Sequence, residues 1–155
     1  MSDNLGKKFE TKFKEDFLKV SNATIDRLYD PTSGYVSISN ISDFIGYIYP
    51  NIYYIELKSR KGASLSFDGI PQYDKLIKKV GIKGVRAGII LWLYEKDRVF
   101  YIPMSTIKQM MSDGKKSVGI KAVEEGYNII EIPSIKKRVF MDSDYSILTT
   151  LKDGE

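Results

Sequence analysis

Two oppositely charged residues lie two positions apart in the segment Tyr53-Tyr54-Ile55-Glu56-Leu57-Lys58, which is otherwise aromatic and apolar. Aromatic and β-branched residues in a short run predict a β-strand. Because side chains alternate across a strand, Glu56 and Lys58 lie on one face, about 6.6 Å apart along the strand. The pair is therefore either a salt bridge on a solvated face or the floor of a site.

A second carboxylate is expected close to this pair. Asp43 opens the preceding predicted strand, and Pro50-Asn51 provides the turn that folds that strand back alongside the next one. Asp43, Glu56 and the carbonyl of Leu57 are the oxygen ligands that predict a Mg²⁺ site, with Mn²⁺ as the alternative ion. Such an ion polarises a phosphodiester oxygen and lowers the pKa of a bound water. Lys58 would orient that water and offset the developing negative charge.

The residue types that are missing narrow the possible chemistry. The 155 residues include no cysteine and no histidine, which excludes disulfides, thiol nucleophiles, Ser-His-Asp triads and metal sites built on imidazole or thiolate. A nucleotide-binding loop at Gly114-Lys115 is also excluded, because Gln109 and Lys116 occupy positions that need Gly and Ser or Thr. No nucleotide cofactor is expected.

Basic residues are unevenly distributed along a chain whose net charge is +4. Residues 56–86 contain eight Lys or Arg against three acids, and further basic clusters occur at 115–116 and 136–138. Basic clusters are usually solvated faces. Close to a carboxylate pair, they also suit a surface that binds an anionic partner such as nucleic acid.

Length and composition predict one domain, residues 1–155, with 43% hydrophobic and 28% charged residues. No apolar run approaches the ~20 residues that span a bilayer, and the first residues lack the apolar core of a signal peptide. We therefore expect a cytoplasmic protein that does not contact membranes.

Hydrophobic periodicity predicts the elements that position these residues. Leu5, Phe9, Phe13 and Phe17 recur at every fourth position, which predicts an amphipathic first helix. The predicted helices are 5–20, 71–80 and 105–111; the predicted strands are 23–29, 43–49, 52–59, 87–94, 99–102, 128–132 and 139–141. Residues 60–69 are expected to form a loop. This order predicts an α/β fold, a mixed sheet flanked by helices.

Two further polar residues extend the pattern: Glu10 follows the core-facing Phe9, and Gln72 lies at the start of the second helix. Together with Gly6-Lys7-Lys8-Phe9-Glu10, Asp43-Phe44, Ile55–Ser59 and Gly114-Lys115-Lys116-Ser117, these residues resemble the RecU-type Holliday junction resolvases, members of the PD-(D/E)XK nuclease superfamily. The resemblance covers about residues 5–148.

The resemblance implies a restriction-endonuclease-like core of order αβββαβ. Asp43, Glu56 and Lys58 match the family's catalytic positions, and Glu10 and Gln72 match its supporting acidic and glutamine positions. It also implies a homodimer that cuts branched DNA, the four-way junction, because two symmetric nicks need two sites related by a two-fold axis. We expect the apolar hairpin edge at 99–104 to supply the dimer interface. The residues expected to contact DNA phosphates are Arg27, Arg60, Lys61, Lys75, Lys78, Lys79, Lys115 and Lys116.

One segment departs from the family pattern. Bacterial members carry a longer, basic stalk before the catalytic aspartate, whereas residues 30–42 here are few and include no basic residue. In this respect the chain resembles the phage-encoded members, and a phage-encoded protein would be expected in the host cytoplasm. Two alternatives stay open: another nuclease of the same superfamily, of restriction or repair type, and a DNA-binding protein whose site has lost its activity.

Overall fold

The computed structural model describes residues 2–29 and 40–152. Its helices are α1 (Ser2–Phe17), α2 (Tyr73–Leu76), α3 (Met104–Ser112) and α4 (Ile120–Glu124). Its strands are β1 (Ala23–Arg27), β2 (Phe44–Ile48), β3 (Asn51–Arg60), β4 (Ser64–Ser66), β5 (Val85–Leu93), β6 (Arg98–Pro103), β7 (Ser117–Gly119), β8 (Ile130–Ile132), β9 (Ser134–Lys137) and β10 (Phe140–Ser143). Short 3₁₀ helices occupy Phe67–Gly69, Ile77–Lys79 and Tyr145–Thr150.

The central sheet has six strands in the order β1-β2-β3-β5-β6-β8. β3 and β5 are parallel, and the other neighbours in this sheet are antiparallel. The C-terminal ends of β3 and β5 therefore lie at the same end of the sheet as the start of β2. This arrangement brings the residue before β2, Asp43, to the same end as Glu56 and Lys58 on β3.

The sheet is covered on both faces. On one face α1 buries Phe9, Phe13 and Phe17, and the ring of Phe9 lies 5.0 Å from that of Trp92 on β5. The opposite face is covered by α2, α3 and α4, with Leu76 and Ile107 fully buried. The spacing of four residues in α1 places all three phenylalanines on its inner side, as an amphipathic helix requires.

A small antiparallel hairpin formed by β9 and β10 packs against α1. The buried carboxylate of Asp16 accepts a hydrogen bond from the backbone N–H of Ser143 at 3.0 Å and pairs with the ammonium of Lys12 at 2.8 Å. Lys12 also pairs with Asp142 at 2.6 Å. These bonds fix the hairpin to α1.

The predicted fold class, α/β with a mixed sheet, is confirmed. Six predicted strands correspond to β1, β2, β3, β5, β6 and β8 with ends within two residues. The helix expected at 71–80 is wrong in form, because it consists of one α-helical turn, α2, followed by a 3₁₀ helix. Gly81, with φ of +86°, ends it as expected.

The expectation of a plain loop at 60–69 is wrong. This segment contains β4, which pairs with β7 in a two-stranded sheet that was not predicted. Each strand has three residues and a partner about fifty positions away, so local periodicity carries no signal for it. Helix α4 and strand β9 were also not predicted, and β10 is longer than the expected strand at 139–141.

The expected dimer interface at 99–104 is also wrong. β6 pairs with β5 on one side and β8 on the other, so it is an interior strand. Val99, Phe100, Tyr101, Ile102 and Met104 are at most 1% exposed. Their apolar character reflects burial on both faces of the sheet.

Residues 30–39, which make up most of the short segment compared with the family stalk, lie outside the described residues. Within the described ranges, no helix is long and apolar enough to cross a membrane.

Gly88 offers a test of the packing between β5 and β6. A Cβ at this position would lie 2.5 Å from the ring of Tyr101, which is fully buried and cannot move aside. We expect Gly88→Ala to lower the free energy of unfolding by about 1–3 kcal/mol. Gly6 on α1 has no heavy atom near the same position, so Gly6→Ala should be neutral or stabilising by up to about 1 kcal/mol. Urea unfolding of both variants measures the difference; equal stabilities would contradict the packing.

Candidate functional site

The candidate site lies just beyond the pair formed by the first residue of β2 and its partner on β3. Phe44, the first residue of β2, is opposite Ile55, so Leu57 lies beyond the reach of β2. There the carboxylate Oδ2 of Asp43 accepts a hydrogen bond from the backbone N–H of Leu57 at 2.8 Å. The N–H and C=O of one strand residue point to the same neighbour. The Leu57 carbonyl therefore faces the side on which Asp43 lies.

Glu56 is buried although it carries a carboxylate. The residue is only 4% exposed, and its Oε2 has no hydrogen-bond partner in the described part of the chain. Burial, together with the negative charge of Asp43, raises the pKa of Glu56 to about 7, and the Lys58 ammonium opposes both. The Lys58 Nζ lies 3.6 Å from Glu56 Oε1. The structure thus brings the side chains of Asp43, Glu56 and Lys58 together.

The residues suit a divalent cation bound by oxygen. A cation would neutralise the repulsion between Asp43 and Glu56 and would give the buried Oε2 a partner. Within residues 2–29 and 40–152, no group of three or more His, Cys, Asp or Glu forms a metal cluster. The protein thus supplies two carboxylates and a carbonyl. Mg²⁺ is commonly held by one or two carboxylates together with waters and substrate phosphates, so the donor set fits.

Glu10 and Arg27 form an ion pair next to the carboxylates. Arg27 contacts both oxygens of Glu10, through Nε at 3.2 Å and a terminal nitrogen at 3.1 Å. Its other terminal nitrogen donates to the carbonyls of Asp43, at 3.1 Å, and Leu28, and lies 3.8 Å from Asp43 Oδ1. Arg27 therefore joins α1 to the residue that begins the site.

Arg27 was expected on a DNA-binding surface, and Glu10 was expected at a supporting acidic position of the site. The structure places the guanidinium of Arg27 between Glu10 and Asp43, with its donors directed to protein oxygens. The pairing joins residues 17 positions apart on a helix and a strand, so no spacing rule could have found it. Contact of Arg27 with DNA stays a prediction.

Gln72 lies just before α2, and its side chain does not cap that helix. Its amide is thus not used by the helix backbone. Lys79, at the end of the following 3₁₀ helix, places its ammonium 5.0 Å from the ring of Tyr54. Tyr54 and Glu56 are two positions apart on β3 and share a face. Lys79 therefore lies over the same face as the carboxylates, and the half-buried Lys75 and exposed Lys78 belong to the same segment.

Tertiary structure brings the basic turn at Lys115 and Lys116 next to the segment that follows β3. The backbone N–H of Phe67 donates to the Lys116 carbonyl at 3.0 Å, and β4 pairs with β7. A cavity of about 300 Å³ lies between this turn and Ala63. Lys115 pairs with Glu125 at 2.9 Å. This is a surface ion pair, in which a phosphate could take the place of the Glu125 carboxylate.

The two remaining basic residues expected to contact DNA are Arg60 and Lys61. Arg60 ends β3, is half-buried, and donates to the Ser59 carbonyl at 2.8 Å. Lys61 is exposed and lies 3.7 Å from Glu95. Both follow Lys58 at the same end of the sheet, and their contact with DNA stays a prediction.

Comparison with known proteins identifies the class of fold. No family model matches the chain, and no curated protein matches it significantly. Fourteen chains of solved structures do match. One is the 1.6 Å resolution structure of Archaeoglobus fulgidus Hjc, a Holliday junction resolvase from an archaeal hyperthermophile, with a TM-score of 0.55 and 17% identity, covering 79% of this chain and 94% of that one. The mixed sheet with flanking helices is thus the fold of that resolvase.

The buried Glu56 predicts a pH-dependent stability in metal-free buffer. The folded protein holds the Glu56 proton with a pKa of about 7 and the unfolded chain with one near 4.5. The folded state therefore binds more protons between these values, and the free energy of unfolding should fall by about 3 kcal/mol as pH rises through this window. Urea unfolding in EDTA at pH 4.5, 6 and 8 measures this. Glu56→Gln should lack the fall.

The matched control is Glu15→Gln, which alters an exposed carboxylate on α1 and should keep the full pH dependence. Mg²⁺ at pH 8 should raise the thermal midpoint of the wild type and of Glu15→Gln, but not of Glu56→Gln. If Glu56→Gln follows the wild type in both measurements, the carboxylate pair is not the cation site.

Proposed function

We propose that this chain is a metal-dependent, structure-specific DNA endonuclease that resolves four-way junctions by paired phosphodiester hydrolysis during recombination. The observation that carries the proposal is the pairing of the half-buried Asp43 with the buried Glu56 beside Lys58, at one end of the sheet of a fold that it shares with a Holliday junction resolvase. The RecU-like, phage-type assignment rests on the sequence resemblance.

The proposed metal ligands are Asp43, Glu56 and the Leu57 carbonyl. When bound there, Mg²⁺ or Mn²⁺ would act as a Lewis acid on a phosphodiester oxygen and lower the pKa of a water. Asp43 is held for this role by its hydrogen bond from the Leu57 N–H. The buried Glu56 carboxylate is poorly solvated, so binding a proton or a cation is more favourable for it than remaining ionised and unpaired.

Lys58 is the proposed electrostatic catalyst. Its side chain is 18% exposed, so the ammonium lies between the buried Glu56 and solvent, where a phosphate would approach. It donates to the attacked phosphate or the attacking water and offsets the charge of the pentavalent transition state. The Gln72 amide has a similar positioning role. Glu10 acts through Arg27, which fixes the backbone at Asp43.

The proposed substrate is branched DNA. The basic residues on the α2 side of the sheet and at the Lys115 turn bind phosphates without reading bases, so binding is electrostatic and salt-dependent. Two nicks across a junction need two sites, so we propose a homodimer. Its interface lies elsewhere than in β6.

The central experiment incubates the protein with a synthetic four-way junction and with a linear duplex of the same sequence, in Mg²⁺, Mn²⁺ or EDTA. We expect paired nicks in the junction with either ion, little cleavage of the duplex, and none in EDTA. Equal cleavage of both substrates would favour another nuclease of the superfamily. Junction binding without cleavage in any metal would favour the DNA-binding alternative.

Asp43→Asn tests the metal ligand. We expect cleavage to be lost while junction affinity is retained, because phosphate contacts come mainly from the lysines. The substituted side chain keeps an amide oxygen that can still accept the Leu57 N–H, so the fold should persist. Full activity in this variant would remove Asp43 from the mechanism.

Lys58→Ala tests the electrostatic role. We expect turnover to fall by about 10² or more with nearly unchanged junction affinity. Lys83→Ala is the matched control, since it removes an exposed lysine before β5 that is not among the residues expected to contact DNA. If Lys58→Ala lowers only the thermal midpoint and leaves turnover normal, Lys58 is a structural ion-pair partner.

A further inference from the structure

The turn between β9 and β10 carries a basic and apolar tip that the proposed catalytic site does not use. Lys136, Lys137 and Arg138 are consecutive there, and Val139 follows with 58% of its surface exposed. Ile135 on β9 is 67% exposed. Lys137 and Arg138 form no ion pair with any residue in the described part of the chain. Two cationic side chains without such an ion pair thus lie beside two exposed apolar side chains.

The tip is held in a defined position. At its base, Lys12 and Asp16 on α1 bind Asp142 and the Ser143 backbone, as described above. At its other side, Lys136 pairs with Asp97 in the β5–β6 turn at 2.8 Å. The contacts with α1 therefore hold the base of the hairpin, and its tip lies beside the β5–β6 turn at one place on the surface.

That place is the end of the sheet that carries the carboxylate pair. The ring of Phe140 lies 5.4 Å from that of Trp92, and Trp92 is paired across the parallel strands with Ser59, the residue after Lys58. Side chains alternate across a strand, so Trp92 faces α1 whereas Lys58 faces α2. The hairpin tip and the catalytic residues thus share one end of the sheet but lie on opposite faces.

A cleft of about 520 Å³ opens between α1 and the tip. It is lined by Lys12, Lys137, Arg138, Val139 and Phe140, with no carboxylate among them. Lys12 is already paired with Asp16 and Asp142, so Lys137 and Arg138 supply the available charge. Cations beside an apolar surface complement a DNA backbone, whose phosphates are anionic and whose sugars and bases are partly apolar.

We propose that the β9–β10 hairpin binds an arm of branched DNA other than the arm held at the carboxylate pair; this rests on the proposed function. A straight duplex bound over the α2 face is separated from the cleft by two layers, the sheet and α1. Packed layers of this kind lie about 10 Å apart. The arms of a junction diverge from one point and can pass on both faces. The hairpin therefore confers preference for branched over linear DNA.

The test measures binding with Lys137→Gln/Arg138→Gln, made in an Asp43→Asn background so that no DNA is cut. Arg138 has φ of +47°, and glutamine has the same unbranched Cβ, so the backbone cost of the turn is unchanged. Losing two phosphate contacts should flatten the slope of log K against log salt by about 1.8 for the junction. We expect junction affinity to fall about tenfold or more, and duplex affinity to change less than twofold.

The control is Lys83→Gln/Lys108→Gln in the same background, which removes the same charge from two exposed lysines, one before the start of β5 at the far end of the sheet and one on α3. It should keep the junction preference, and both double variants should keep the thermal midpoint. Unchanged junction binding in the hairpin variant overturns the proposal and leaves an acidic protein as the occupant. Equal weakening of junction and duplex also overturns it, because the hairpin would then act on any DNA. If the parent protein shows no preference for junctions, the proposed function fails and the hairpin proposal fails with it.

Discussion

The buried carboxylate of Glu56 is the constraint on which the site depends. A strand in the middle of a sheet must place alternate side chains on opposite faces, and Ile55 and Leu57 occupy the face covered by α1. Glu56 is thereby directed into the other apolar layer, next to Asp43, where ionisation of both carboxylates is unfavourable. Lys58 offsets this only in part. The fold thus holds two carboxylates close together with too little positive charge nearby, and a divalent cation would supply the missing charge.

The parallel pairing of β3 with β5 explains why the residues of the candidate site lie at one end of the sheet. It places the ends of both strands together, and the antiparallel β2 returns its first residues to the same end. Asp43, Glu56, the Lys115 turn and the β9–β10 tip come from four separate parts of the chain. Each reaches this end through a strand pairing or a ring contact that can be traced residue by residue.

The surface charges also bear on where an anionic partner would bind. Several basic residues already have acidic partners, such as Lys61 with Glu95, Lys115 with Glu125 and Lys136 with Asp97. Such exposed pairs are worth little and are screened by salt, so a polyanion can replace the acid at small cost. The net charge of +4 alone would not indicate where an anionic partner such as the proposed DNA substrate binds. Basic groups lie on both faces at the end that carries Asp43 and Glu56, and this arrangement suits the branched substrate that we propose.

Local patterns in the sequence were enough to predict the strand that carries Glu56 and Lys58, the hairpin that returns Asp43, and the inner side of α1, because alternation, turn residues and helical periodicity are local properties. The pairings of Glu10 with Arg27 and of β4 with β7 became visible only in the folded chain, because they join residues 17 and about fifty positions apart. The fold also shows that the apolar segment at 99–104 is an interior strand, since an apolar run looks the same whether its partner is another strand or another chain. Long-range contacts depend on how the whole chain closes on itself, and no short window of sequence contains that information.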